Sequence, residues 1–216
     1  MKYQTLLCVV GTLILGLTGC ITPAPGPQSQ FYQLQPRVEG VPVGTESRDG
    51  PVVQIGPVTV SDYLARPQMV SRIGEHQVAY DELKRWAEPL RDNILWVLIH
   101  NLENSLPAAR VVPFTGLPAI YTVTTVSVPV RISRLEARLD GTVLLQAGWI
   151  VIPQKSAARS TPVSVTFTTT TASSRTEDLV AAQSKLIRQL SDNIAQDIQV
   201  ALEEMAGDGR GKSRER

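Results

Sequence analysis

Leu179, Ala182, Leu186, Leu190, Ile194, Ile198, Ala201 and Met205 recur at three- and four-residue spacing. A helix built on them carries one continuous apolar stripe that has to be covered. A second stripe of the same period runs through Leu83, Trp86, Ala87, Leu90, Ile94, Val97, Leu98, Asn101 and Leu102. Pro89 lies inside it, and proline is tolerated in a first helical turn but costs about 3 kcal/mol deeper in. That helix is therefore expected to begin near Glu88 and to end at Asn104 and Pro107. Ser174 and Glu177 have the spacing of a capping box for the long helix, and Gly207 is its expected stop.

What the two stripes cover must come from the rest of the chain, and there the period is two. Phe31-Tyr-Gln-Leu34 reads as a short strand, and the β-branched run Val52–Val60 as another, with Pro57 demanding an edge or a bulge. Gln68–Arg72 and His76–Tyr80 flank Gly74 as a hairpin, and Val111-Val112 follows the first helix. Between Tyr121 and Leu139 the apolar phase moves from even positions (Val126, Val128, Val130, Ile132) to odd ones (Leu135, Ala137, Leu139). Such a slip calls for a β-bulge near Ser133 and Arg134. Asp140-Gly141 is a hairpin turn, Val143–Ile152 the returning strand with Trp149 near its middle, and Pro162–Thr170 a further strand. Pro36–Pro51, rich in glycine and proline, is expected to be a long loop. The pattern predicts an α+β fold, a single domain over residues 31–206 with a mainly antiparallel sheet covered by two long helices. The basic segment 207–216 is expected to be a disordered tail.

The N-terminus has a different character. Lys2 precedes an apolar run from Leu6 to Leu17 that is too short for a comfortable membrane span, and Leu17-Thr18-Gly19-Cys20 has the form of a lipobox. Residues 1–19 are thus expected to be a lipoprotein signal peptide and Cys20 the lipidated N-terminus, its covalent lipid (palmitate among the acyl groups) being the one attached group expected and no other cofactor. Each buried acyl methylene contributes about 0.8 kcal/mol, so a multiply acylated cysteine holds firmly to a membrane. Residues 20–30 contain Pro23, Pro25, Gly26 and Pro27 and form a semi-rigid tether. Cys8 falls in the discarded leader, so no thiol remains for a disulfide, a metal or a nucleophile.

A net charge of +1 with both signs interspersed provides no electrostatic footprint for nucleic acid. His76 and His100 lie on different expected elements, one a strand start and the other a helix surface, and no His-Glu-x-x-His pair accompanies them, so no metal site is expected. Gly207-Asp-Gly-Arg-Gly-Lys-Ser213 resembles a phosphate loop only superficially, because Ala206 stands where the spacing needs glycine and no helix is expected after it. Asp81, Glu82 and Glu88 near Trp86 read as a solvated helix start. No catalytic set is evident, and the chain is expected not to be an enzyme.

Phe31-Tyr-x-Leu34, Ile55-Gly-Pro-Val58 leading into Asp62-Tyr-Leu-Ala-Arg-Pro-Gln-Met-Val70, Arg72, and Arg85-Trp-Ala-Glu-Pro-Leu90 together resemble the auxiliary lipoproteins of ABC-type transport systems, the paraquat-inducible protein C and YmbA group. The resemblance implies an outer-membrane lipoprotein on the periplasmic face, sorted there by a residue other than Asp (Ile21) after Cys20. It further implies a non-enzymatic docking role beside a mammalian-cell-entry (MCE) domain protein that conducts lipids between the membranes. Arg66, Arg72 and Trp86 are the candidate partner-binding residues, although Trp86, with Pro89 and Leu90, is most easily explained as the packing of a helix start against the sheet; self-association is left open. The competing expectation is a periplasmic carrier of lipid or another small ligand, which requires a continuous apolar cavity.

Overall fold

The computed structural model describes residues 26–37, 50–115, 125–138, 140–154, 160–171 and 173–212. The leader, Cys20, the first half of the tether, the middle of the 36–51 loop, Tyr121 to Thr124, Leu139 and the last four residues lie outside the described residues.

The sheet is organised by one long strand, β6 (Thr125–Arg138). Along one edge β6 pairs in parallel with β2 (Val52–Val60), from Val52↔Thr125 to Val60↔Ile132, and then with β3 (Gln68–Arg72) at Ser71↔Ala137. Along the other edge it pairs antiparallel with β7 (Thr142–Trp149) and with the short β8 (Ile152–Pro153). β4 (Val78–Trp86) forms a hairpin with β3, β1 (Gln30–Tyr32) lies parallel on β4, and β5 (Arg110–Pro113) lies parallel on β2. β9 (Val163–Thr170) closes the far edge on β7. The resulting nine-stranded sheet is mixed. Its hairpin-linked half is antiparallel as its turns require, whereas strands far apart in sequence meet in parallel because the chain crosses the sheet between them.

Two helices cover one face, as the stripes require. α1 (Leu90–Ser105) lies over β2 and β5, and α2 (Thr176–Lys212) over β7, β6 and β9. Ile94, Leu98 and Leu102 of α1 meet Leu186, Leu190 and Ile194 of α2 above Val128, Ile132 and Leu145, all fully buried. Apolar burial on that scale, about 25 cal/mol per Å², is the main source of stability.

Several boundaries differ from expectation. Leu83 and Trp86 belong to β4, so the apparent helical period before Pro89 is coincidental and α1 starts after that proline. His76 sits in the β3–β4 turn, exposed beside Glu75, not at a strand start. The expected box of Ser174 and Glu177 is replaced by Ser173, whose hydroxyl donates to Asp178 and accepts from the Arg175 amide. α2 does not stop at Gly207 but continues to Lys212, so the first part of the expected tail is helical. Glycine in a helix costs about 1 kcal/mol relative to alanine, a penalty that does not by itself end one. Asp140-Gly141 does turn the chain: Gly141, at φ 81°, donates its N–H to the Arg138 carbonyl at 3.1 Å. Pro57 coincides with a register shift between Ile55 and Val58.

The segment after β1 runs as a strap between the helices. The Leu34 amide donates to Asn93 Oδ1 (2.8 Å) and the Arg37 amide to Asn101 Oδ1 (2.8 Å), while the Gln35 amide donates to Ser184 Oγ (3.1 Å). Asn101 in turn donates to Ser191 Oγ on α2 at 3.1 Å. Both asparagines are buried and replace the ladder partners that the strap lacks. Asn93→Ala leaves the Leu34 amide buried without an acceptor and is expected to cost about 1–3 kcal/mol in urea unfolding. Gln33→Ala, which removes an exposed bond to Glu88, is expected to cost less than about 0.5 kcal/mol.

Candidate partner-binding site

β6 contains the bulge that its phase slip demands. Ile132 faces Ala147 and Arg134 faces Gln146, so Ser133 is the extra residue. Its carbonyl, turned out of the ladder, accepts the Ser61 hydroxyl at 2.9 Å, while the Ser61 amide donates to Ile132 O at 3.1 Å. These bonds hold the 3-10 turn Asp62–Leu64 against β6 at the point where β2 leaves it and β3 begins. Beyond the bulge Leu135 and Ala137 point toward the helices, so Glu136 points to the opposite face.

Glu136 is nevertheless 1% exposed. Arg72 grips it with two nitrogens, Nη2 lying 2.8 Å from Oε1 and Nε bonding Oε2. Arg134 Nη2 reaches Oε2 at 3.0 Å, and the Tyr63 hydroxyl donates to Oε1 at 2.6 Å. Burial pushes the Glu136 carboxyl up, but the bonds from Arg72, Arg134 and Tyr63 outweigh it and hold the group at about 2, below its ordinary 4.5. Burial first, and then the bond to Glu136, raises the Tyr63 phenol above its usual value. The bond to Glu136 likewise raises Arg72. A carboxylate so held stays ionised at neutral pH and has no proton to exchange, while two guanidiniums around one carboxylate leave a surplus of positive charge. The corner thus carries a net positive charge, and its own acid is unsuited to acid–base chemistry.

Arg66 stands at the rim of the same corner. Its Cζ lies 5.0 Å from the ring centroid of Tyr80, whose hydroxyl donates to the Tyr63 carbonyl at 3.3 Å. The guanidinium is exposed and oriented by the ring. Arg72 joins this arrangement but spends its donors on Glu136 and on the Glu75 carbonyl. Trp86 does not join it. At 6% exposure it is part of the core, as is Leu90, and its amide donates to the Pro67 carbonyl. Cys20 lies outside the described residues.

Sequence reasoning missed Glu136, Tyr63 and Arg134. One signal was available: an acid between two core residues, Leu135 and Ala137, with an arginine two positions earlier. Neither Arg72 nor Tyr63 could be attached to it without the pairing of β3 with β6.

Among the described residues no group of three or more His, Cys, Asp or Glu is placed to hold a metal ion. No helix among them is long and apolar enough to cross a membrane.

A family model described as "ABC-type transport auxiliary lipoprotein component" matches residues 32–195. The chain is similar to the crystal structure of an uncharacterized protein, at 22% identity and a TM-score of 0.65, over 79% of this chain and 99% of that one. It is also similar to a Xanthomonas campestris protein of the DUF330 family, at 13% identity and a TM-score of 0.64, over 82% of this chain and 99% of the other. No curated protein matches. At these identities the two structures establish the fold alone.

Since the folded-state pKa of Glu136 lies below its unfolded value, the unfolded chain binds protons more readily. The stability this group contributes is fully present above about pH 4.5 and lost as pH falls through about 2. About 3 kcal/mol is expected to disappear over that window, read as falling urea midpoints, and Glu136→Gln should flatten this acid limb while lowering stability at neutral pH.

Proposed function

The chain belongs to the family of ABC-type transport auxiliary lipoprotein components, and from that membership we propose that it is a non-enzymatic docking subunit, held at the outer membrane by lipid on Cys20, for an MCE-type system that moves lipids between membranes. The family match over residues 32–195, nearly the whole folded part, carries this reading. The arginine corner supports binding over catalysis, because its carboxylate is bonded on every side and held ionised.

In this arrangement the covalent anchor supplies attachment and the folded domain supplies recognition. The ten residues that follow Cys20 reach roughly 30 Å if extended at about 3.1 Å each. Gln30 begins the pairing with β4, and the strap, bonded to Asn93 and Asn101 of α1 and to Ser184 of α2, transmits any pull on the tether into both helices. A carrier calls for an enclosed apolar cavity. The concavity between the strap and α2, about 650 Å³ and lined by Phe31, Tyr32, Pro36, Val180, Ala181 and Arg188, is an open groove, which favours docking.

In the producing cell, Cys20→Ser is expected to move the protein from the membrane to the soluble fraction, and mass analysis of the unsubstituted protein should find acyl groups on a chain beginning at Cys20. Crosslinking in intact cells is expected to co-isolate an MCE-domain protein. An intact leader, or no such partner in cells that make both proteins, overturns the proposal.

A further inference from the structure

The strand register arranges the face turned away from the helices into rows. Thr59, Arg131, Gly148 and Ser164 lie side by side, then Arg134, Gln146 and Thr166, then Glu136, Leu144 and Thr168. The alternate residues of β7, Val143, Leu145 and Ala147, are buried toward the helices, so these rows form the outer face. Arg138, two residues beyond Glu136 and opposite Arg72, extends the series.

The charge on this face is unbalanced. Arg131 is exposed and has no ion-pair partner among the described residues. Arg138 has the exposed Asp140 at 4.0 Å, and Arg134 shares the single carboxylate of Glu136 with Arg72. The covered side is the opposite, since residues 176–207 of α2 carry six acids against the two bases Lys185 and Arg188. A chain of net charge +1 is therefore polarised across its sheet. At the Arg131 end the same face contains a depression of about 330 Å³, lined by Pro57, Pro129, Ile150 and Pro162 with Gly148 contributing no side chain.

We propose that this face receives an extended acidic segment of a partner protein, with one apolar side chain of that segment seated in the proline-lined depression and its carboxylates paired with Arg131, Arg134 and Arg138. The inference rests on the docking reading and specifies its surface. Seven residues of strand at about 3.3 Å each separate Arg131 from Arg138, so the cations form a line of roughly 20 Å matched by a short extended peptide. Glu136 is a positioning residue here, holding the Arg134 guanidinium in place on the line. Ser164, Thr166 and Thr168 line the same face with exposed hydroxyls, which suit the directional hydrogen bonding of a peptide. A bilayer is a poorer occupant, because insertion needs a cluster of protruding apolar side chains, whereas at this end the exposed Ile152 stands beside a depression and the rest of the rows is polar or cationic.

The test uses the full-length lipoprotein in detergent and a fluorescent synthetic peptide, one leucine followed by four Ser-Asp repeats, read by anisotropy. Binding is expected to weaken about tenfold or more in Arg131→Glu/Arg138→Glu, to weaken similarly when asparagine replaces aspartate in the peptide, and to be unchanged in Lys185→Glu, an exposed position on α2. Circular dichroism confirms that each variant is folded. Equal binding of the asparagine peptide, or indifference to the double substitution, overturns the proposal. So does phosphatidylglycerol vesicle binding without peptide binding, or salt-sensitive self-association lost in the double variant, since the occupant is then a membrane or a second copy. If an MCE-domain protein co-isolates equally with the double variant, this surface is wrong and docking stands. If none co-isolates with the unsubstituted protein while the peptide binds as expected, docking to that partner is wrong and the surface stands.

Discussion

At Ser133 one extra residue enters the central strand, and the two halves of the molecule are joined across it. Before the bulge β6 pairs with β2 and shows its even positions to the helices; after it, β6 reaches β3 and shows its odd ones. The displaced Ser133 carbonyl anchors Ser61 and hence the turn that carries the chain from β2 to β3. A strand without the slip would turn Leu135 and Ala137 to the outside and Glu136 into the apolar core, where an unpaired carboxylate costs several kcal/mol.

The bulge also accounts for the ionic corner. Glu136 is buried against the outer face because Tyr63 and Arg72 close over it, and both are delivered by the turn and strand that the bulge anchors. Buried ion pairs are weak evidence for stability in general, since desolvation offsets much of the attraction. Here three donors converge on one carboxylate, so attraction wins, as its depressed pKa records. The same geometry aligns the outer arginines, so the interaction that joins the halves also shapes the outer face.

The helical side has a different task. α1 and α2 bury the core and pin the strap that follows the tether, using two buried asparagines and a serine as substitutes for strand pairing. Strap and core thus share one side of the sheet, leaving the outer rows of β7 and β9 uncovered among the described residues.

Periodicity determined much of this by itself. The apolar stripe of α2, that of α1 from Leu90 onward, the alternating strands, the turn at Gly141 and the bulge at Ser133 are local consequences of where side chains must point. The motif around Arg66 was legible for the same reason, as a turn-flanked cation. What the pattern left open was decided by contacts between residues distant in sequence: the parallel placing of β2 and β3 on β6, Trp86 at the end of a strand and not in a helix, and Arg72 and Tyr63 on Glu136. A one-dimensional pattern records which face a residue takes, because that depends on its neighbours along the chain. It does not record which strand lies opposite, because that depends on the packing of the whole sheet beneath its helices.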